Sequence, residues 1–121
     1  MKRKPIRPFI SYVGDMVMAV ERILKYSEHL SVTEFQMGGM TKDAIFYNFQ
    51  ILGEGVKHIP FHFQNKHKNI PWMYMAALRN DIVHEYFDPD DESVWNIIQL
   101  DLPANLVDLQ NLLEKLENEK K

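Results

Sequence analysis

Apolar residues return at steps of three and four along almost the whole chain, and nowhere do they alternate in the step of two that a half-buried strand requires. Phe9, Val13, Met16/Val17, Val20, Ile23/Leu24 and Leu30 mark one buried face of a first helix running from Phe9 to about Leu30. Met37-Gly38-Gly39-Met40 breaks the chain, and Thr41 is expected to cap a second helix that carries Ile45, Phe49, Leu52, Val56 and Ile59 and ends at Pro60. Gly53 and Gly55 lie inside that helix, where each costs about 1 kcal/mol relative to alanine. Two glycines in one turn predict close approach of another helix, because missing side chains let backbones near each other.

A third helix starts with Pro71 at its first position and buries Met75, Leu78 and Ile82, with Trp72, Ala76 and Val83 beside them. Asp88-Pro89-Asp90 stops it, and Asp90 or Asp91 caps the next helix. Val94, Trp95, Ile97 and Ile98 continue the core, Pro103 forces a kink or break after Asp101, and Leu106, Leu109, Leu112/Leu113 and Leu116 mark the last helix. Phe61 to Asn69 reads as an irregular connector with a turn of helix. The pattern predicts an all-α fold, an antiparallel four-helix bundle with one short additional helix.

With 121 residues the chain is expected to be one domain, residues 1–121, with a basic arm at 1–8 and a charged tail at 117–121. It has no cysteine, which removes disulfides and thiolate metal sites, and no run near the length of a membrane span. No secretory-type apolar segment follows the basic start, so a cytoplasmic protein is expected. The net charge of −3 means that nucleic acid must be met by a local patch and not by the overall field.

The chemistry is concentrated in Arg79-Asn80-Asp81-Ile82-Val83-His84-Glu85-Tyr86. Arg79 and Tyr86 share a helical stripe, and Asn80 and His84 share the next. Arg79 and His84 stand about 140° apart around the axis. They meet only if the arginine swings across, if the helix loosens near His84, or if a second copy of the helix faces the first. The last possibility predicts a symmetric homodimer with one shared cleft. Each residue also has an ordinary reading: a surface or salt-bridging arginine, an exposed or structural histidine, a packed tyrosine. His58 and His62 have the i,i+4 spacing of a metal pair, but Pro60 lies between them and no carboxylate completes a ligand set, so no metal and no cofactor is expected.

The spacing Arg79-Asn80-x-x-x-His84-x-Tyr86 resembles the R-x-x-x-x-H-x-Y signature of the HepT-like branch of HEPN-domain proteins. Ile70-Pro71-Trp72 before it, Phe87 and Asp90 after it, Trp95 and Leu102-Pro103 downstream, and Asp43 with Leu52-Gly53-Glu54 upstream extend the resemblance over roughly residues 9–115. Gly55 departs from it, since alanine is expected there. The resemblance implies a homodimeric helical bundle whose motif helices face each other across a cleft. It also implies an RNA-cleaving toxin, paired with a small nucleotidyltransferase antitoxin that adenylylates the motif tyrosine, Tyr86. Some HEPN proteins are inactive and serve as partner or binding modules, which is the alternative here.

In the implied reaction RNA supplies its own nucleophile, the 2′-OH, so no metal is needed. His84 can act as base or acid near neutral pH. Arg79 offers a planar cation that holds two phosphate oxygens. Asn80 can orient the imidazole or the phosphate, and Tyr86 can contact substrate.

Overall fold

The computed structural model describes residues 7–83 and 90–119, and all of its regular structure is helical. The helices are α1 (Phe9–Ser27), α2 (Val32–Met37), α3 (Met40–Val56), α4 (Phe61–Lys66), α5 (Trp72–Val83), α6 (Asp91–Asn96) and α7 (Leu102–Glu119), with a π-helical turn, Ile97–Asp101, joining the last two. The α1 helix packs on α3 and α7, and α3 carries α5 on its other side. Val13, Met16, Val20 and Ile23 of α1, Ile45, Phe49 and Leu52 of α3, and Leu109 of α7 form the sealed centre of the core.

Several boundaries move from where periodicity puts them. The first helix stops at Ser27, not Leu30: the Glu28 and Leu30 amides donate to Lys25 O and Ser27 O, three residues back, which tightens the chain out of the helix. Val32–Met37 then forms its own short helix, opened by a reciprocal capping box between Ser31 and Glu34. Gly38 and Gly39 come next with φ of 84° and 103°, a region that favours glycine. Gly39, not Thr41, therefore precedes the first residue of α3.

The second long helix ends at Val56, well before Pro60. Lys57, His58 and Ile59 donate to carbonyls three residues back, tightening the chain, and the Gln64 amide closes the end by donating to Val56 O and Ile59 O. Pro60 instead begins α4. Pro71 stands just outside α5, its carbonyl accepting from Met75 N–H, while the Trp72 indole donates to His67 O at 3.0 Å.

Pro103 does not break the chain. Residues 91–119 run on as continuous helix, and the Leu102 N–H reaches back five residues to Ile97 O. That one wide turn accommodates a proline that can neither donate nor tolerate the carbonyl below it. Ile97, Ile98 and Leu102 stay buried across it. At the other end Asp90 caps α6 through Glu92 N–H, while Asp91 forms an ion pair with Lys42 at 2.6 Å. Of the expected charged tail, residues 117–119 belong to α7.

Candidate active site

Arg79 lies on α5, a helix favoured by Met75, Ala76, Ala77 and Leu78. Met75 is buried, and Leu78 and Ile82 are half-buried, so the expected apolar stripe forms. Arg79 is aimed at α3, and Gly53 makes room for it. A Cβ on Gly53 would overlap Cβ of Arg79 and lie 2.9 Å from the Met75 carbonyl oxygen. The expected close approach at Gly53 is therefore to α5. At Gly55 it is to α1, where a Cβ would come within 2.6 Å of Met16 Cγ. Two glycines two residues apart admit two different helices.

With its stem seated on Gly53, the Arg79 side chain is only 22% exposed and its guanidinium reaches Glu54 Oε2 at 3.3 Å. Its Nη1 also donates to Asn80 Oδ1 at 3.1 Å. Asn80 thus holds the arginine within this chain. Among the described residues no other partner is bonded to the guanidinium, which has further N–H groups for an anion. Glu54 also lies 3.7 Å from Lys57 Nζ and 4.0 Å from His58 Nε2, so three basic side chains gather on one carboxylate.

Arg79 forms one wall of an open cleft of about 320 Å³ between α1 and α3. The opposite wall is Tyr12, whose ring is stacked on His58 with centroids 3.9 Å apart and planes 8° apart. The Arg7 guanidinium lies 4.2 Å from the same ring's centroid and is hydrogen-bonded to Asp15 at 2.9 Å and to Ser11 at 3.1 Å. That bond to Asp15 raises the arginine's pKa further above its ordinary value, with desolvation opposing it. Arg7, expected to be part of a solvated arm or a phosphate contact, is thus tied back onto α1. Tyr47 and Gln50 complete the cleft.

His84 and Tyr86 lie outside the described residues, as do Glu85, Phe87, Asp88 and Pro89. Of the motif residues, the structure thus places Arg79 and Asn80 together. His58 and His62 fall on separate turns, His58 against Tyr12 and His62 exposed on α4. Among the described residues no group of three or more histidine, aspartate or glutamate side chains can hold a metal, and no helix is long and apolar enough to cross a membrane. Nothing in the spacing of Tyr12 and Tyr47 relates them to Arg79, so the sequence does not mark them as cleft residues. Glu54 stands beside Gly53 in the family resemblance, without a role.

Comparison with known proteins gives the family. A candidate RNase of Methanocaldococcus jannaschii, MJ0127, is 28% identical over 119 residues, covering 98% of this chain and 96% of its own. A probable ribonuclease HepT of Thermococcus cleftensis is 31% identical over 105 residues, covering 87% and 92% respectively. No solved structure matches the chain. The family model described as Ribonuclease HepT-like matches residues 16–116, nearly the whole of the described fold, and the chain belongs to that HepT-like ribonuclease family.

Proposed function

We propose that this protein is a metal-independent endoribonuclease, a single domain acting as a homodimer, in which Arg79 and His84 carry out RNA cleavage. The observation that carries this reading is the setting of Arg79: seated on Gly53, held by Glu54 and Asn80, and presenting its remaining donors at the rim of a cleft. A preset guanidinium stabilises charge as it builds on the phosphorus without reorganising during the reaction. His84, five residues on, takes the proton from the 2′-OH or gives one to the departing 5′-oxygen. The nucleophile and the scissile bond are both in the RNA, so the reaction is transesterification and the protein moves protons and balances charge.

The homodimer is supported by the make-up of α5. It buries only Trp72 and Met75 fully, while Met73 at 80% and Tyr74 at 52% exposure face outward. A second copy covering this face completes a bundle of motif helices and brings a partner His84 toward Arg79. In the same reading the protein is the cytoplasmic toxin of a toxin–antitoxin pair, and a nucleotidyltransferase antitoxin silences it by adenylylating Tyr86. A non-catalytic subunit that positions the nucleotidyltransferase is the second reading. It is favoured by one observation, that the charge of Arg79 is already met by Glu54.

RNA integrity after incubation with the purified chain, with and without chelator, separates the two. Cleavage that survives chelation, is lost in His84→Ala and is strongly reduced in Arg79→Lys supports the nuclease. The lysine removes the two-pronged contact while keeping the charge. No cleavage by the wild-type protein supports the positioning role, and a sedimentation mass of one chain at micromolar concentration rejects the dimer.

A further inference from the structure

The cleft beside Arg79 contains more than a phosphate contact needs. Tyr47, Gln50, Ile51 and Glu54 of α3 all line it. Their spacing of three, four and seven residues places them on one stripe about 10 Å long. Arg79 stands at the Glu54 end of that stripe and Tyr47 at the other.

Charge in the cleft cancels in pairs. Arg7 is bonded to Asp15 at 2.9 Å and Arg79 is paired with Glu54 at 3.3 Å. The interior therefore suits a neutral, flat group with polar edges, while an anion is favoured only at the outer donors of Arg79. The two faces of the Tyr12 ring are taken by His58 and Arg7, because two groups centred about 4 Å from one ring cannot share a face. Tyr12 is thus a fixed wall. Tyr47 is the free aromatic: the residue is 61% exposed and no aromatic or cationic neighbour is stacked on it among the described residues. Gln50 adds an amide that both donates and accepts.

An aromatic platform, an amide and a guanidinium plane around about 320 Å³ match what a single unstacked ribonucleotide requires. We infer that this cleft seats one unpaired nucleotide next to the phosphate held by Arg79, its base stacked on Tyr47, so that the protein takes single-stranded RNA. The inference rests on the ribonuclease reading for the identity of the ligand. A base inside a duplex cannot enter, because its faces are already stacked on its neighbours.

The test is direct binding, independent of cleavage. Fluorescein-labelled hexaribonucleotides, single-stranded or annealed to a complement, are titrated with the full-length His84→Ala protein at fixed low salt, and anisotropy gives the Kd. The expected result is that the single strand binds more tightly than the duplex. Tyr47→Ala should weaken single-strand binding about tenfold, the loss of one base–aromatic stack. Tyr47→Phe keeps the ring and should retain affinity. Sedimentation mass and helical content are measured for each variant. Equal binding of single strand and duplex, an unchanged Kd in Tyr47→Ala, or a loss in Tyr47→Phe as large as in alanine would each overturn the inference. So would a change of mass in Tyr47→Ala, which assigns that ring to a protein interface. If the wild-type protein binds single strands through Tyr47 yet cuts none, the nuclease reading fails and the nucleotide site stands.

Discussion

Replacing Gly53 by alanine tests how the arginine is placed. The added Cβ overlaps Cβ of Arg79 and comes within 2.9 Å of both Arg79 Cγ and the Met75 carbonyl oxygen. These are the root of a side chain and a backbone atom, so no flexible tip can give way. For the carbonyl alone to reach an ordinary 3.4 Å contact, α5 must retreat by about half an ångström, and relief of the Arg79 overlap requires more. Alanine gains about 1 kcal/mol of helix propensity, and overpacking costs about 1–3 kcal/mol. The net loss of stability is therefore about 0–2 kcal/mol, and the chain still folds. Catalysis is far more sensitive, since a displacement of about 1 Å at a positioned group costs on the order of a hundredfold.

The expected outcome for Gly53→Ala is a drop in kcat/KM of roughly a hundredfold with a small change in the urea midpoint. Gly55→Ala is the control on the same helix. There the new Cβ meets Met16 Cγ at 2.6 Å and Sδ at 3.1 Å, a pliable thioether, and the backbone oxygen of Tyr12 only at 3.4 Å. Its propensity gain of up to about 1 kcal/mol is largely kept, and cleavage should fall much less than in Gly53→Ala. Wild-type activity in Gly53→Ala, or equal damage in both variants, would refute the idea that the α3–α5 approach sets the arginine.

Other parts of the fold are open to the same kind of measurement. Lys42→Ala should lower stability by about 1–2 kcal/mol, between exposed and buried ion pairs. It leaves the partly buried Asp91 unpaired and uncovers the rings of Phe35 and Phe46, and urea denaturation reads the change. His67 has its pKa lowered from 6.5, chiefly by burial and then by Lys115, so the unfolded chain takes up the proton first. Its contribution to stability is present above pH 6.5 and is lost as pH falls toward the lowered folded value, a dependence that His67→Gln should flatten when followed by Trp72 fluorescence. Tyr86→Phe, if it retains RNase activity, should escape silencing by a co-expressed nucleotidyltransferase. Complete silencing with no mass added to the chain would favour steric coverage over modification.

Helix type and core membership were legible from the three- and four-residue spacing because burial of one face imposes that period wherever a long helix packs. Ends were less legible because they are settled by single hydrogen bonds. The Leu30 amide turning onto Ser27 O and the Gln64 amide on Val56 O and Ile59 O each close a helix earlier than periodicity suggests. The capping box Ser31-x-x-Glu34 was present in the sequence, but a six-residue helix has too few apolar positions to show a period. Pro103 left two outcomes open. A proline there reads as a kink or a break, and what forms is one π turn ending at Asp101, because Ile97, Ile98 and Leu102 gain more from staying in the core than the helix loses by widening.

The site itself was half legible, and the missing half has a physical reason. Spacing within α5 shows which side chains share a stripe, but Arg79 is placed by residues 25 and 26 positions earlier. Leu52, Gly53 and Glu54 succeed one another at about 100° steps around α3, and each does something different. Leu52 is buried and fixes the rotation of the helix, Gly53 admits α5, and Glu54 turns its carboxylate to the guanidinium. A half-exposed pair of this kind contributes about 0–1 kcal/mol to stability. Its consequence is orientation: of the directions open to a long arginine, the one toward the cleft is held before any ligand arrives. On the proposed reading, an arginine set in that way by another helix stabilises charge developing on a phosphate without first being ordered.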